Sequence, residues 1–144
     1  MRLEAFNEKR FAAFCHKQGI SLALLFGSRS TGRVHAGSDW DLAVWVEDER
    51  LLEGNLAAAR RKRRLIRNCC NYLQTGNLDL VILNRAAPLI KYEVARNGKL
   101  LYEKEPGLFV GFCSRALREH NDARLFYRAT REYIHQVAEE WREW

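Results

Sequence analysis

No apolar run in this 144-residue chain approaches the length a membrane-spanning helix needs. That excludes a helical span, and no membrane partner is expected. The first ten residues, MRLEAFNEKR, set Glu4 and Glu8 where a secretory signal requires its apolar stretch, so a cytoplasmic location is the expectation. Cysteine is scarce: Cys15, Cys69, Cys70 and Cys113 form no CxxC pair and no zinc-type spacing with the four histidines. This excludes a disulfide framework and a thiolate metal centre, and leaves reduced, inert thiols. Repeats, low-complexity tracts and linkers are also missing, and the length suits one domain with a real core. We expect a single domain over 1–144, with a core of 1–105 and a C-terminal helical segment of 106–144.

What is present is charge with a positive bias, 24 Lys+Arg against 18 Asp+Glu, a formal net of +6. Such an excess favours acidic partners, whether nucleotides, nucleic acid or an acidic protein, without choosing among them. Residues 3–18 carry Leu3, Phe6, Phe11 and Phe14 among charges and are followed by Gly19, which reads as an amphipathic helix with a glycine cap. SLALLF (21–26) reads as a buried strand and DWDLAVWV (39–46) as a second, whose alternation separates Asp39, Asp41, Ala43 and Trp45 from Trp40, Leu42, Val44 and Val46. A helix over 51–73, a turn at Gly76-Asn77 and a strand LDLVIL (78–83) follow. Pro88 opens a further helix that stops at Asn97-Gly98, KLLYE (99–103) is a fourth strand, and 106–144 is helical with a candidate break at 119–122.

Within this pattern the acids are misplaced for a core. Residues two apart on a strand point to the same face with Cα atoms about 6.6 Å apart, and a neighbouring strand lies about 4.8 Å away. Asp39, Asp41 and Asp79 can therefore converge. Their oxygens suit two magnesium ions about 4 Å apart, an arrangement that stabilises the attacking and leaving oxygens of a phosphoryl displacement. Gly27 and Ser28, at the end of the first strand, offer backbone N–H groups and a hydroxyl to phosphate oxygens, and Arg29 or Arg33 can neutralise a triphosphate.

Gly27-Ser28, ten residues and then Asp39-x-Asp41 resembles the GSx10DxD signature of the polymerase-beta-type nucleotidyltransferase superfamily. In element order and length the chain is similar to the minimal nucleotidyltransferases, specifically the MntA-type antitoxins encoded beside a HEPN toxin. The resemblance runs from the first helix to KLLYE and is weakest in the C-terminal helix. It implies an α/β (α+β) fold with a small mixed sheet flanked by helices. It also implies AMP transfer from Mg-ATP to a tyrosine of the toxin. Gly27, Ser28 and Arg29 would then bind the nucleotide, Asp39 and Asp41 would hold the metals, and Asp79 would complete the site and help deprotonate the acceptor. Ser30 stands where many relatives have alanine and Trp40 where most have an aliphatic residue; neither removes a reacting group.

Plainer readings compete. Asp39 and Asp41 could be loop or cap acids beside Gly37-Ser38, and Asp79 a turn residue. RRKRRLIR (60–67) sets Arg60, Arg63, Arg64 and Arg67 on one helical face opposite Leu51, Ala58, Leu65, Cys69 and Tyr72. A solvated basic face is the default there and nucleic acid is not the expected partner, with contact to a partner protein or direct nucleic-acid binding through 60–67 as the alternative. Lys62 falls within the apolar arc, where its stem can snorkel. Arg115 and His120 match the R-x4-H spacing of the HEPN ribonuclease motif, which we discount on one terminal helix of an α/β chain. The aromatics Phe109, Phe112, Phe126, Tyr127, Tyr133, Trp141 and Trp144 read first as core, with those beyond 125 as a docking surface for a partner or a second copy.

The expectation is a metal-dependent adenylyltransferase using ATP and two magnesium ions, with a HEPN-type toxin as acceptor and a homo- or hetero-oligomeric state left open. The alternatives are a non-enzymatic antitoxin that neutralises by binding, and a nucleotidyltransferase subunit for a small-molecule acceptor.

Overall fold

A computed structural model describes residues 6–27 and 40–142. The first helix, α1 (Glu8–Gln18), starts where Asn7 Oδ1 accepts the Arg10 N–H at 3.0 Å and ends at Gly19, whose φ of 71° is the left-handed cap that glycine adopts without strain. Strand β1 (Ile20–Phe26) pairs antiparallel with β2 (Trp40–Val46) and, on its other side, with β4 (Lys99–Glu103). Strand β3 (Leu78–Ile82) pairs with β2 in parallel, giving a mixed sheet of order β3-β2-β1-β4.

Helices cover both faces of this sheet. On one, Phe11 and Cys15 of α1 and Leu65 and Cys69 of α2 (Leu56–Leu73) meet Ala23, Leu42, Val44, Val46 and Leu80. On the other, Val94 of α3 (Pro88–Asn97) and Phe112 and Ala116 of α4 (Leu108–Arg142) meet Leu22, Leu24, Ala43 and Leu83. Pro88 opens α3 as expected, its missing N–H falling where a helix has no acceptor for one.

Several expected boundaries move. The first helix begins at Glu8 and not at residue 3, because Asn7 caps it. The helix expected over 51–73 is two elements, a 3-10 turn at Glu49–Leu52 and then α2, because Asn55 Oδ1 accepts the Ala58 N–H at 2.8 Å and starts a new helix after Gly54. Leu51 therefore packs into the core from the turn and not from the helix. The third strand ends at Ile82, and the buried Leu83 belongs to a 3-10 turn (Leu83–Arg85). The helix α4 runs without the break expected at 119–122: Glu119 bonds Lys91 Nζ at 3.0 Å and the His120 ring stacks on Tyr92 at 3.8 Å, so these polar side chains find partners on α3 instead of capping an end.

Candidate active site

The candidate site lies where β1 ends and β2 and β3 begin. Trp40, 2% exposed, packs with Leu25 and Leu73 beneath the sheet. With Trp40 anchored inward, the next residue, Asp41, must point to the opposite face. Leu78 and Leu80 do the same for Asp79, since both pack on the α1/α2 side. Asp41 and Asp79 are direct register partners across the parallel pair, as are Trp40 and Leu78. Two carboxylates thus stand side by side on one face, their strands about 4.8 Å apart.

Neighbouring backbone fixes them. The Trp40 N–H donates to Asn77 O at 3.0 Å, carrying the β2–β3 pairing one step beyond the strand start. The Thr75 hydroxyl locks the preceding turn, accepting the Asn77 N–H at 3.1 Å and donating to Asn77 O at 3.2 Å. The sequence marks Asn77 only as a turn residue and does not single out Thr75; their part is visible only once the register is known. An open hollow of 370 Å³ lies beside Asp79, lined by Gly76, Asn77 and Leu78.

Phe26 is the register partner of Asp41 on the β1 side, so Gly27 follows directly against that carboxylate. A Cβ placed on Gly27 would overlap Asp41 Oδ2 and stand 2.9 Å from its Cγ, and φ at Gly27 is 73°. Both the contact and the dihedral demand glycine. Of the expected site residues, Gly27, Asp41 and Asp79 are brought together here. Asp39, Ser28 and Arg29 lie outside the described residues, as do Arg33 and Trp144.

The donor set suits magnesium: paired hard oxygens at the rim of the sheet, half-buried at Asp41 and exposed at Asp79, with no ion-pair partner for Asp79 among the described residues. Among the described residues no group of three potential ligands gathers, and the third expected ligand is Asp39.

The remaining sequence candidates go elsewhere. Arg115 lies over the Trp45 ring at 5.2 Å and His120 stacks on Tyr92, so the two R-x4-H residues serve separate packing contacts. Cys15 and Cys69 are buried; burial pushes the Cys69 thiol up to about 12, with the Cys70 thiol adding to it, and raises Cys15 further, so neither is a nucleophile at neutral pH. No helix of the described residues is long and apolar enough to cross a membrane.

Comparison with known proteins supplies the chain's relatives. Residues 9–107 match the family model described as "Polymerase beta, Nucleotidyltransferase". The chain is 31% identical over 125 residues to the protein adenylyltransferase MntA of Aphanizomenon flos-aquae (strain 2012/KM1/D3), covering 85% of this chain and 83% of that one. Its fold is similar to a crystal structure of a toxin-antitoxin with AMP-PNP, with a TM-score of 0.69 at 23% identity over 90% of this chain and 98% of that one. It is also similar to a complex of tri-AMPylated Shewanella oneidensis HEPN toxin with MNT antitoxin, with a TM-score of 0.62 at 20% identity over 88% and 94%. The chain belongs to the polymerase-beta nucleotidyltransferase family and, within it, stands with the MntA-type protein adenylyltransferases.

Proposed function

We propose that this protein transfers AMP from ATP to a tyrosine of a partner HEPN-type toxin in the cytoplasm and thereby acts as its antitoxin. The observation that carries the reading is the register pair Asp41–Asp79 on one sheet face with Gly27 closed against Asp41. Asp41, with Asp39, would hold two magnesium ions, and Asp79 would complete the set. Bound there, the metal supplies charge neutralisation at the triphosphate and at the attacking oxygen. Gly27 and Ser28 would seat the triphosphate, with Arg29 against its charge. The tyrosine oxygen forms a bond to the α-phosphorus, the bond from that phosphorus to the bridging oxygen breaks, and pyrophosphate leaves. The phenol proton, at an ordinary pKa near 10, passes to the Asp79 carboxylate and on to water. One domain over 1–144 does this, with 1–105 as its catalytic core and 106–144 as the helical segment.

The test is intact mass spectrometry of the cognate toxin after incubation with this protein and Mg-ATP. One or more added AMP units, with pyrophosphate released, is the expected result. Asp41→Asn and Asp79→Asn preserve shape and should lower the transfer rate by several orders of magnitude. An unmodified toxin with the wild-type protein would overturn the reading.

A second reading, neutralisation by binding alone, is favoured by the distal part of α4, where Phe126, Tyr133, Ile134 and Trp141 stay exposed. It predicts that Asp41→Asn protects cells from the toxin as well as the parent does.

A further inference from the structure

α2 carries six cations in eight positions, Arg60, Arg61, Lys62, Arg63, Arg64 and Arg67, and no aspartate or glutamate from Leu56 to Leu73. Five are exposed and Arg61 is half-buried. Among the described residues none of the six is in an ion pair. A merely solvated helical face gains from acids set three or four positions from its bases. Here Arg60 neighbours Arg63 and Arg64, and those neighbour Arg67, so the same spacing produces repulsion. The helix is held by its other side, through Ala58, Leu65, Cys69 and Leu73, and the mutual repulsion of Arg60, Arg63, Arg64 and Arg67 works against it; Arg61, by contrast, is drawn to an acid, Asp48. Such a face is relieved when a polyanion lies along it.

Two observations fit phosphate as the anion. Five of the six are arginine, whose planar fork pairs with the oxygens of a phosphate or a carboxylate where lysine offers only a point charge. The row also borders a hollow of 360 Å³ formed where the end of α1, the turn after β2 and α2 meet, lined by Arg61, Arg64, Arg50, Gln18, Asn68 and Asp48. Asp48, the acid in that lining, is engaged by Arg50 at 2.9 Å, and Asn68 bonds Gln18 at 2.9 Å, so the rim is ordered and Arg61 and Arg64 bring its remaining positive charge. From Arg60 to Arg67 the row covers about 10 Å of helix axis, room for a few successive phosphates of one strand. Magnesium and nucleotide chemistry plays no part, because Asp41 and Asp79 lie on the opposite face of the sheet.

We infer that α2 and its adjoining hollow bind the phosphate backbone of a nucleic acid without reading its bases. The solvated face expected from sequence thus acquires a ligand, from the absence of compensating acids and the ordered hollow beside it.

The test is fluorescence anisotropy of the full chain with a labelled 20-nucleotide single-stranded RNA and a 20-base-pair DNA duplex. With about five phosphates neutralised, RNA affinity should fall about 100-fold between 50 and 200 mM salt. Arg60→Gln, Arg63→Gln and Arg64→Gln together should weaken binding and flatten the log–log salt slope by about 2. Arg63→Glu alone is a second variant at an exposed position. The control, Arg124→Gln, Arg128→Gln and Arg131→Gln on α4, removes the same charge elsewhere and should leave binding within about threefold of the parent. No binding to either nucleic acid at 50 mM salt overturns the inference. So does an equal loss from the α4 control, which would reduce the effect to net charge. Polyglutamate that displaces RNA as well as unlabelled RNA does would assign the face to an acidic protein and overturn it too. None of these readouts involves AMP transfer, so they stand or fall apart from the proposed activity.

Discussion

Gly27 and Gln74 are the two residues whose backbone carries the most information. Gly27 combines a left-handed φ with contact against Asp41. In Gly27→Ala the dihedral costs about 1–2 kcal/mol, and the new methyl must push the carboxylate aside. With Asp41 in the metal-holding role proposed for it, AMP transfer should therefore fall about a hundredfold, as a reacting group displaced by an ångström loses that much. A steady-state assay set beside a urea melt separates the two effects, and a loss of stability with full activity would contradict the argument. At the end of α2 the left-handed cap is Gln74, φ 52°, where a glycine would be the ordinary choice. Its N–H bonds Cys70 O, which keeps the cap in place despite the side chain. Gln74→Gly should stabilise the protein by about 1 kcal/mol, a shift readable in the urea midpoint. The sequence pointed past this residue to Gly76-Asn77, since nothing local marks a glutamine as a cap; the register that starts β3 at Leu78 forces the reversal earlier.

Among the elements, α4 divides sharply. Its buried residues are Phe112 and Ala116, both in the first three turns, where α3 and the sheet cover it. Beyond His120 the same helix continues for about 33 Å at 1.5 Å per residue, with Leu125, Phe126, Tyr127, Tyr133 and Ile134 exposed and Trp141 at 78%. Of the two readings of these aromatics, core describes Phe109 and Phe112, and those beyond residue 125 within the described residues are exposed, as the docking-surface reading requires. Hydrophobic periodicity identifies a face but not whether anything faces it. A chain ending after residue 120 should accordingly keep its unfolding free energy within about 1 kcal/mol of the parent, because no fully buried side chain is removed. Chemical denaturation of the two chains measures this, and a loss of several kcal/mol would mean the distal helix is integral to the fold.

At the scale of the molecule, the two buried thiols tie stability to pH. Cys15 and Cys69 have their folded-state pKa values raised by burial above the ordinary 9.0. A raised pKa means that the folded protein holds its proton where the unfolded chain releases it. Full stability is therefore present below pH 9 and is lost as pH rises toward and beyond 12, at up to about 1.4 kcal/mol per pH unit for each thiol. Melts between pH 8 and 11 should show a decline that is shallower in the Cys15→Ala, Cys69→Ala double variant. An identical slope in both proteins would remove the thiols as its cause.

Hydrophobic patterning and helical spacing were enough to read the four strands and four helices of the described residues in order, because alternation and amphipathicity are imposed residue by residue through burial. Asp41 and Asp79 stood out for the same reason, as charge that a core would not tolerate without a use, whereas the GSx10DxD pattern was legible as a resemblance to a known family. Adjacency was not legible. That β3 pairs parallel to β2 and sets Asp79 in register with Asp41 depends on the right packing of α2 between them, a nonlocal event with no mark in either strand. The closeness of Gly27 to Asp41, the ordered hollow at the basic face of α2 and the uncovered half of α4 are likewise products of tertiary packing. A sequence prescribes which faces must be buried or charged; the packed chain determines what each face meets.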